Sequence, residues 1–207
     1  MRRVQQCLEW AELPVFERIM ELYAPYVLVR CARYTNRRRQ AQQIGAYTVI
    51  STCFLARELG PALSLGRIVD IVVGVAGPDV VSKGQGRARS GQSEELLIVD
   101  PRVRKTAQAL NSLKGPLREV LVLHHASGLA ADDLARLLQE PAGEVVTKIR
   151  RGERLLAGRL GSADVQSLLT QFVAGLDTGW MEDVVYAAMD YLTACAGRTR
   201  PRHQCRD

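Results

Sequence analysis

Basic and small polar side chains recur every three or four residues in the segment 142–160, AGEVVTKIRRGERLLAGRL. In a helix, that spacing places them along one face. Ammonium and guanidinium groups neutralise phosphates, whereas hydroxyl and carboxylate groups near a helix N-terminus reach base edges. The side chains that we expect to bind nucleic acid fall into three groups: Arg151 and Lys148 facing the groove, Thr147 and Glu144 reading bases, and Arg150 and Arg154 contacting phosphates.

A buried stripe must hold this face outward. Four residues at positions i, i+4, i+7 and i+11 form such a stripe on the opposite side of the same helix: Val145, Ile149, Gly152 and Leu156. The residues of the preceding helix that we expect to share this core are Leu134, Leu137 and Leu138. The pattern therefore predicts two packed helices, the second of which runs from about 142 to 160.

The sequence EPAG (140–143) separates the two helices. Pro141 suits a helix start, and we expect Gly143 to permit a close approach of the two helices. Helices joined by so short a turn, the second one with cations outward, indicate a helix-turn-helix. The alternative is an ordinary helical hairpin with a solvated charged face.

Other residue types that carry chemistry lack partners at suitable spacing. His124 and His125 are adjacent, so they point to different sides of a helix and do not suggest a metal site. The five cysteines form no CxxC pair, which argues against zinc and a disulfide framework. Asp177-Thr178-Gly179 reads as a turn, and GQGRARSG (84–91) has no GK[ST]. We therefore expect no enzymatic activity, metal or cofactor.

The overall composition is compatible with a polyanionic partner. The net charge is +6 and the pI is near 9.3. The N-terminus has no apolar signal-peptide core, and the run 68–77 contains Asp70 and is too short for a membrane span. We expect a cytoplasmic protein that does not contact a membrane.

Outside the paired helices, helical periodicity covers 15–39, 105–113, 116–128 and a C-terminal pair within 162–196. Two β-branched runs, TVIST (48–52) and IVDIVVGVAGPDVV (68–81), have strand propensity instead. Residues 82–93, SKGQGRARSGQS, contain no large apolar residue and are expected to form a flexible basic linker.

The segment 110–160 resembles the promoter −35-reading domain of bacterial RNA polymerase sigma factors of the extracytoplasmic-function class. The similarity is carried by LxxLxxxLREVLVLHH, by GL before the first helix, by AxLL within it and by PxGxVxxxIRR in the second. FERIMELYAPYVLVRCARYTNRR (16–38) and FLA (54–56) resemble the N-terminal domain of the same class. Because that family is helical, the resemblance implies an all-α fold in place of the two strands.

Several positions depart from the family pattern. An acidic stretch that docks on the polymerase is replaced by uncharged residues: Gly45, Ala46, Tyr47, Thr48, Ser51 and Thr52. On the helix that opens the −10 DNA, Asp70 and Ile71 replace Arg-Asn, and an Asp facing DNA would repel phosphate. Val146 and Glu144 replace a common Lys and Thr. Ala130 replaces a capping Ser, which should cost about 1 kcal/mol.

The resemblance implies a sigma region 2-like domain (1–81), the linker (82–93), a region 4-like helix-turn-helix domain (94–160) and a C-terminal helical hairpin (161–207). We expect the hairpin to pack on the helix-turn-helix domain; dimerisation or occupation of the polymerase-binding surface are alternatives. The implied function is that of a sigma factor that binds core RNA polymerase and a −35 promoter element. The alternative is a sigma-like regulator that binds DNA without polymerase or acts as a decoy for an anti-sigma factor.

Overall fold

The computed structural model describes residues 13–59, 63–85, 95–162, 164–176 and 178–197. All regular elements within these ranges are helices, apart from one isolated bridge between Arg37 and Leu96. This confirms the expected all-α fold. The helices are α1 (Leu13–Cys31), α2 (Arg38–Leu59), α3 (Leu65–Gln85), α4 (Pro101–Asn111), α5 (Gly115–His125), α6 (Ala131–Leu138), α7 (Ala142–Leu160), α8 (Val165–Ala174) and α9 (Thr178–Gly197).

Both segments with strand propensity are helical. Residues 48–52 lie in α2, where the Thr48 hydroxyl donates to the carbonyl of Ile44 at 2.7 Å. Residues 68–81 lie in α3, whose buried positions 68, 69, 72, 73 and 76 follow a helical period. Burial of one helical face has overridden the local preference of the β-branched residues.

Helix α1 links the two parts of the molecule. It packs against α2, α3 and α9 and also against α4 and α5. One apolar cluster runs through the described parts of both segments that were expected to be separate domains, 1–81 and 94–160. We call the contact of α1 and α3 with α4 and α5 the seam.

The connection between the two halves differs at its start from the expected linker. Helix α3 continues to Gln85, so residues 82–85 are helical, and residues 86–93 lie outside the described part. At Leu97 and Ile98, the chain is held against the α1–α2 turn. The Asn36 side chain accepts from the Ile98 amide at 3.0 Å and donates to its carbonyl at 3.1 Å.

The C-terminal helices do not pack as one unit on the helix-turn-helix. Helix α8 packs chiefly on α4, where Gly175 faces Val103, whereas α9 packs on α1 and α2. Trp180 of α9 is fully buried. The expected packing therefore holds for α8, while α9 belongs to the other half of the molecule. No helix in the described ranges combines the length and apolar character that a membrane crossing needs.

Candidate nucleic-acid interface

Helices α6 and α7 form the predicted pair. Helix α6 ends at Leu138, Gln139 takes a left-handed conformation with φ of 55°, and Pro141 caps the start of α7. Ala130 caps α6 without a side-chain hydrogen bond, as the sequence predicted. The two helices joined by this three-residue turn pack on each other, and both pack on α5.

The buried stripe of α7 is confirmed, but its glycine contact is not the one expected. Val145, Ile149, Gly152 and Leu156 are all buried. A Cβ at Gly152 would lie 2.7 Å from Leu121 Cδ1, so this glycine lets α7 approach α5 closely. The prediction that Gly143 permits close helix packing is wrong, because a Cβ there would meet nothing within 4 Å.

Five of the six predicted DNA-contacting side chains lie on the exposed surface of α7: Glu144, Thr147, Arg150, Arg151 and Arg154. The Thr147 hydroxyl donates to the Gly143 carbonyl at 2.8 Å, and Arg154 Nε donates to the Arg150 carbonyl at 3.4 Å. Three guanidinium groups therefore share this surface with one carboxylate.

Lys148 differs from the other five. Its side chain is half-buried, and its ammonium group pairs with the Glu140 carboxylate in the turn before α7. The pair ties the first turns of α7 to the α6–α7 turn. Lys148 thus has a carboxylate partner within the protein, a contact that was not predicted from the sequence.

The two histidines bind different protein groups. His124 Nδ1 lies 2.7 Å from the Leu129 carbonyl, and His125 Nε2 lies 3.2 Å from Glu153 Oε1. Burial lowers the pKa of His125, and the neighbouring His124 lowers it further. The described residues contain no group of three side chains suited to a metal ion. His124 thus connects α5 to the segment before α6, and His125 connects α5 to α7.

Asp70 lies in the seam and does not face solvent as a DNA-opening residue would. Its side chain is 11% exposed, and its Oδ1 lies 2.7 Å from Arg30 Nε while its Oδ2 lies 2.5 Å from Arg118 Nη2. Tyr26 donates a hydrogen bond to Oδ1 at 2.9 Å. The expectation that Asp70 repels DNA phosphate is therefore wrong, because two guanidinium groups surround the carboxylate.

Glu119 forms a second buried polar contact across the seam. Its carboxylate accepts hydrogen bonds from the Tyr23 hydroxyl at 2.7 Å, the Gly66 amide at 3.0 Å and the Ser64 hydroxyl at 3.3 Å. Burial raises the pKa of Glu119, and these hydrogen bonds oppose the shift. A Cβ at Gly66 would lie 2.3 Å from the Glu119 carboxyl carbon, so the glycine admits this side chain.

Sequence reasoning missed both seam contacts. The signal was the pair Arg118-Glu119 inside the apolar run LREVLVL, since charged residues on a buried face need partners. Both residues are only 4% exposed.

The face of α2 that lacks the acidic stretch is partly covered. Thr48 and Thr52 are fully buried, and a Cβ at Gly45 would lie 3.0 Å from Val184 and 3.1 Å from Trp180 of α9. Tyr47, in contrast, is exposed. Small and uncharged residues on this face allow α9 to pack against it.

No protein-family model, curated protein or solved structure matches this chain. The geometry of α7 and of the seam is therefore the basis for assigning a function.

Proposed function

We propose that the chain is a sigma-factor-like transcription-initiation protein that binds duplex promoter DNA through α7. The observation that supports this is the exposed arginine surface of α7 opposite its buried stripe. A helix fits the major groove, where arginine recognises guanine and a carboxylate accepts from cytosine. Arg151, Thr147 and Glu144 are the proposed base contacts, and Arg150 and Arg154 the proposed phosphate contacts.

The start of α7 adds a second feature that suits a DNA backbone. Pro141 caps the helix without a side-chain hydrogen bond, and Gly143 leaves the first turn sterically open. Helix N-termini attract phosphates through their free amide groups and the helix dipole. In this proposal, Lys148 positions the turn through Glu140 and does not itself contact DNA.

As a sigma factor, the chain would also bind core RNA polymerase and direct it to a −35 element. The test is run-off transcription by purified core polymerase on promoters chosen by selecting bound duplexes from a random library. We expect defined transcripts that depend on the chain and on the selected element. Duplex selection without any enriched sequence would contradict the proposed promoter recognition.

A second candidate is a sigma-like regulator that binds duplex DNA but does not initiate transcription. Two observations favour it: α9 covers part of the α2 face, and α3 and α7 both pack on α5. The positions −35 and −10 differ by about 25 base pairs, which is about 85 Å at 3.4 Å per base pair. Helices packed on one common helix lie only about 20 Å apart, since interaxial distances are 8–10 Å.

In this arrangement, α3 and α7 therefore reach only one of the two elements at a time. Sequence-specific duplex binding without retention of core polymerase in a pull-down would favour the regulator, and retention with transcription would favour the sigma factor. Capture of an anti-sigma factor by a chain that selects no duplex would indicate the decoy.

A further inference from the structure

An arginine-lined cleft of about 760 Å³ opens at the seam, and its described lining residues include none of α7. Its walls come from the end of α1, the first half of α3, the end of α4 and the start of α5. Volumes of this size are typical of small-ligand sites.

The charge of the cleft is strongly positive. Arg30, Arg33, Arg67 and Arg118 line it, and Asp70 is the one carboxylate among its described lining residues. Four guanidinium groups against one carboxylate leave an excess of three positive charges. A concave wall with this balance attracts anions.

The four arginines divide into a fixed pair and an available pair. The side chains of Arg30 and Arg118 are each 5% exposed and bind Asp70. Arg30 also donates to Asn111 Oδ1 at 2.7 Å, and Arg118 donates to the Leu113 carbonyl at 3.0 Å. These bonds fix the positively charged floor of the cleft before any ligand arrives.

Arg33 and Arg67 are exposed at the mouth of the cleft, and neither has a carboxylate partner among the described residues. Arg33 lies over the Tyr34 ring, with 5.8 Å from its guanidinium carbon to the ring centroid. Guanidinium groups bind phosphate oxygens through paired N–H donors. Because Arg33 lies in the turn after α1 and Arg67 lies in α3, an anion bound by both must bridge two separate elements.

We propose that this cleft binds a small anion with two or more linked phosphates, such as pyrophosphate or the polyphosphate chain of a nucleotide. Arg33 and Arg67 hold the outer phosphate oxygens, and Arg30 and Arg118 provide the positive floor. Since the cleft lies between elements of both halves, the bound anion stabilises their packing. This site goes beyond the proposed DNA-binding function and uses none of the α7 residues.

The test is isothermal titration calorimetry of the full chain with pyrophosphate, orthophosphate and a nucleoside triphosphate in magnesium-free buffer. We expect one pyrophosphate per chain, with weaker binding of orthophosphate. Tighter binding of pyrophosphate than of the nucleoside triphosphate would indicate an inorganic ligand, and tighter binding of the triphosphate would indicate a nucleotide. Binding of pyrophosphate should also raise the melting temperature, because a ligand specific for the folded state stabilises it.

The matched variants are Arg33→Gln with Arg67→Gln, and Arg104→Gln as a control on the exposed side of α4, outside the cleft. The double variant should weaken pyrophosphate binding at least tenfold and abolish the melting shift. Arg104→Gln should change neither the pyrophosphate affinity nor the melting shift. The affinity for duplex DNA should differ by less than twofold among the wild type, the double variant and Arg104→Gln. Circular dichroism establishes that each variant is folded.

Three results would overturn the proposal. The first is equal pyrophosphate affinity in the wild type and the double variant. The second is a loss of affinity in Arg104→Gln that matches the double variant, which would indicate general charge attraction. The third is a single-stranded oligonucleotide that displaces pyrophosphate and binds the same arginines more tightly, which would assign the cleft to nucleic acid.

Discussion

Asp70→Asn should destabilise the protein strongly, because Asp70 compensates two buried guanidinium groups. The carboxylate lies 2.7 Å from Arg30 Nε and 2.5 Å from Arg118 Nη2, and the three side chains are 11%, 5% and 5% exposed. Asparagine keeps a hydrogen-bond acceptor but removes the charge. Arg30 and Arg118 would then repel each other with no carboxylate between them; burial, and after it proximity to Arg118, already lower the pKa of Arg30.

Removing one partner of a buried ion pair costs about 3–5 kcal/mol. Whole domains are stable by only about 5–15 kcal/mol, so this loss is a large fraction of the total. The free energy of unfolding is measured by urea denaturation followed by circular dichroism. The matched control is Asp79→Asn, since Asp79 pairs with Lys83 at 2.7 Å with both side chains more than half exposed.

We expect the control to change the free energy of unfolding by no more than about 0.5 kcal/mol, as is usual for exposed helical pairs. If Asp70→Asn and Asp79→Asn differ by less than about 1 kcal/mol, the reasoning about the seam is refuted.

Three further predictions concern residues of α5, α6 and α7. Burial raises the pKa of Glu119, so the wild type loses stability as the pH rises above about 4.5 and the buried side chain must ionise. Glu119→Gln has no group to ionise there and should become more stable relative to the wild type over the same pH range. Parallel pH profiles of the free energy of unfolding would contradict this. Gly152→Ala should destabilise the protein by about 1–3 kcal/mol, because the added Cβ clashes with Leu121. Gly158→Ala should stabilise it by about 0.5–1 kcal/mol, because the Cβ there meets nothing within 4 Å. Changes of the same sign in the free energy of unfolding, measured by urea denaturation, would oppose the packing argument. Ala130→Ser should raise the melting temperature, since a capping hydroxyl contributes about 1 kcal/mol to α6, and an unchanged temperature would show that α6 needs no cap.

Local features of the helix pair were predictable from sequence because they depend on residues close together in the chain. The bounds of α7, its buried stripe and the missing cap at Ala130 follow from periodicity and residue type. The prediction for Gly143 is wrong because it, too, rests on local sequence alone. A glycine in the sequence shows where close approach is possible, but only the packed structure shows which glycine a neighbour approaches.

The seam could not be predicted from local pattern. Asp70 is 40 residues from Arg30 and 48 from Arg118, and Tyr23 is 96 residues from Glu119. Only the packing of α1 and α3 against α5 brings these groups together. The strand prediction for 68–81 is also wrong for a non-local reason. Burial of one helical face outweighs the modest intrinsic preference of valine and isoleucine for strands.

The most direct test of the central claim is the salt dependence of duplex binding, measured by fluorescence anisotropy on a selected duplex. The variant carries Arg150→Gln, Arg151→Gln and Arg154→Gln, and the control carries Arg102→Gln and Arg104→Gln on the exposed side of α4. Each phosphate contact contributes about 0.9 to the slope of log affinity against log salt concentration. If all three arginines contact phosphates, the slope falls by about 2.7, and by less where Arg151 binds a base instead. The control should leave it unchanged. An unchanged affinity and slope in the α7 variant would contradict the assignment of α7 as the DNA-binding helix.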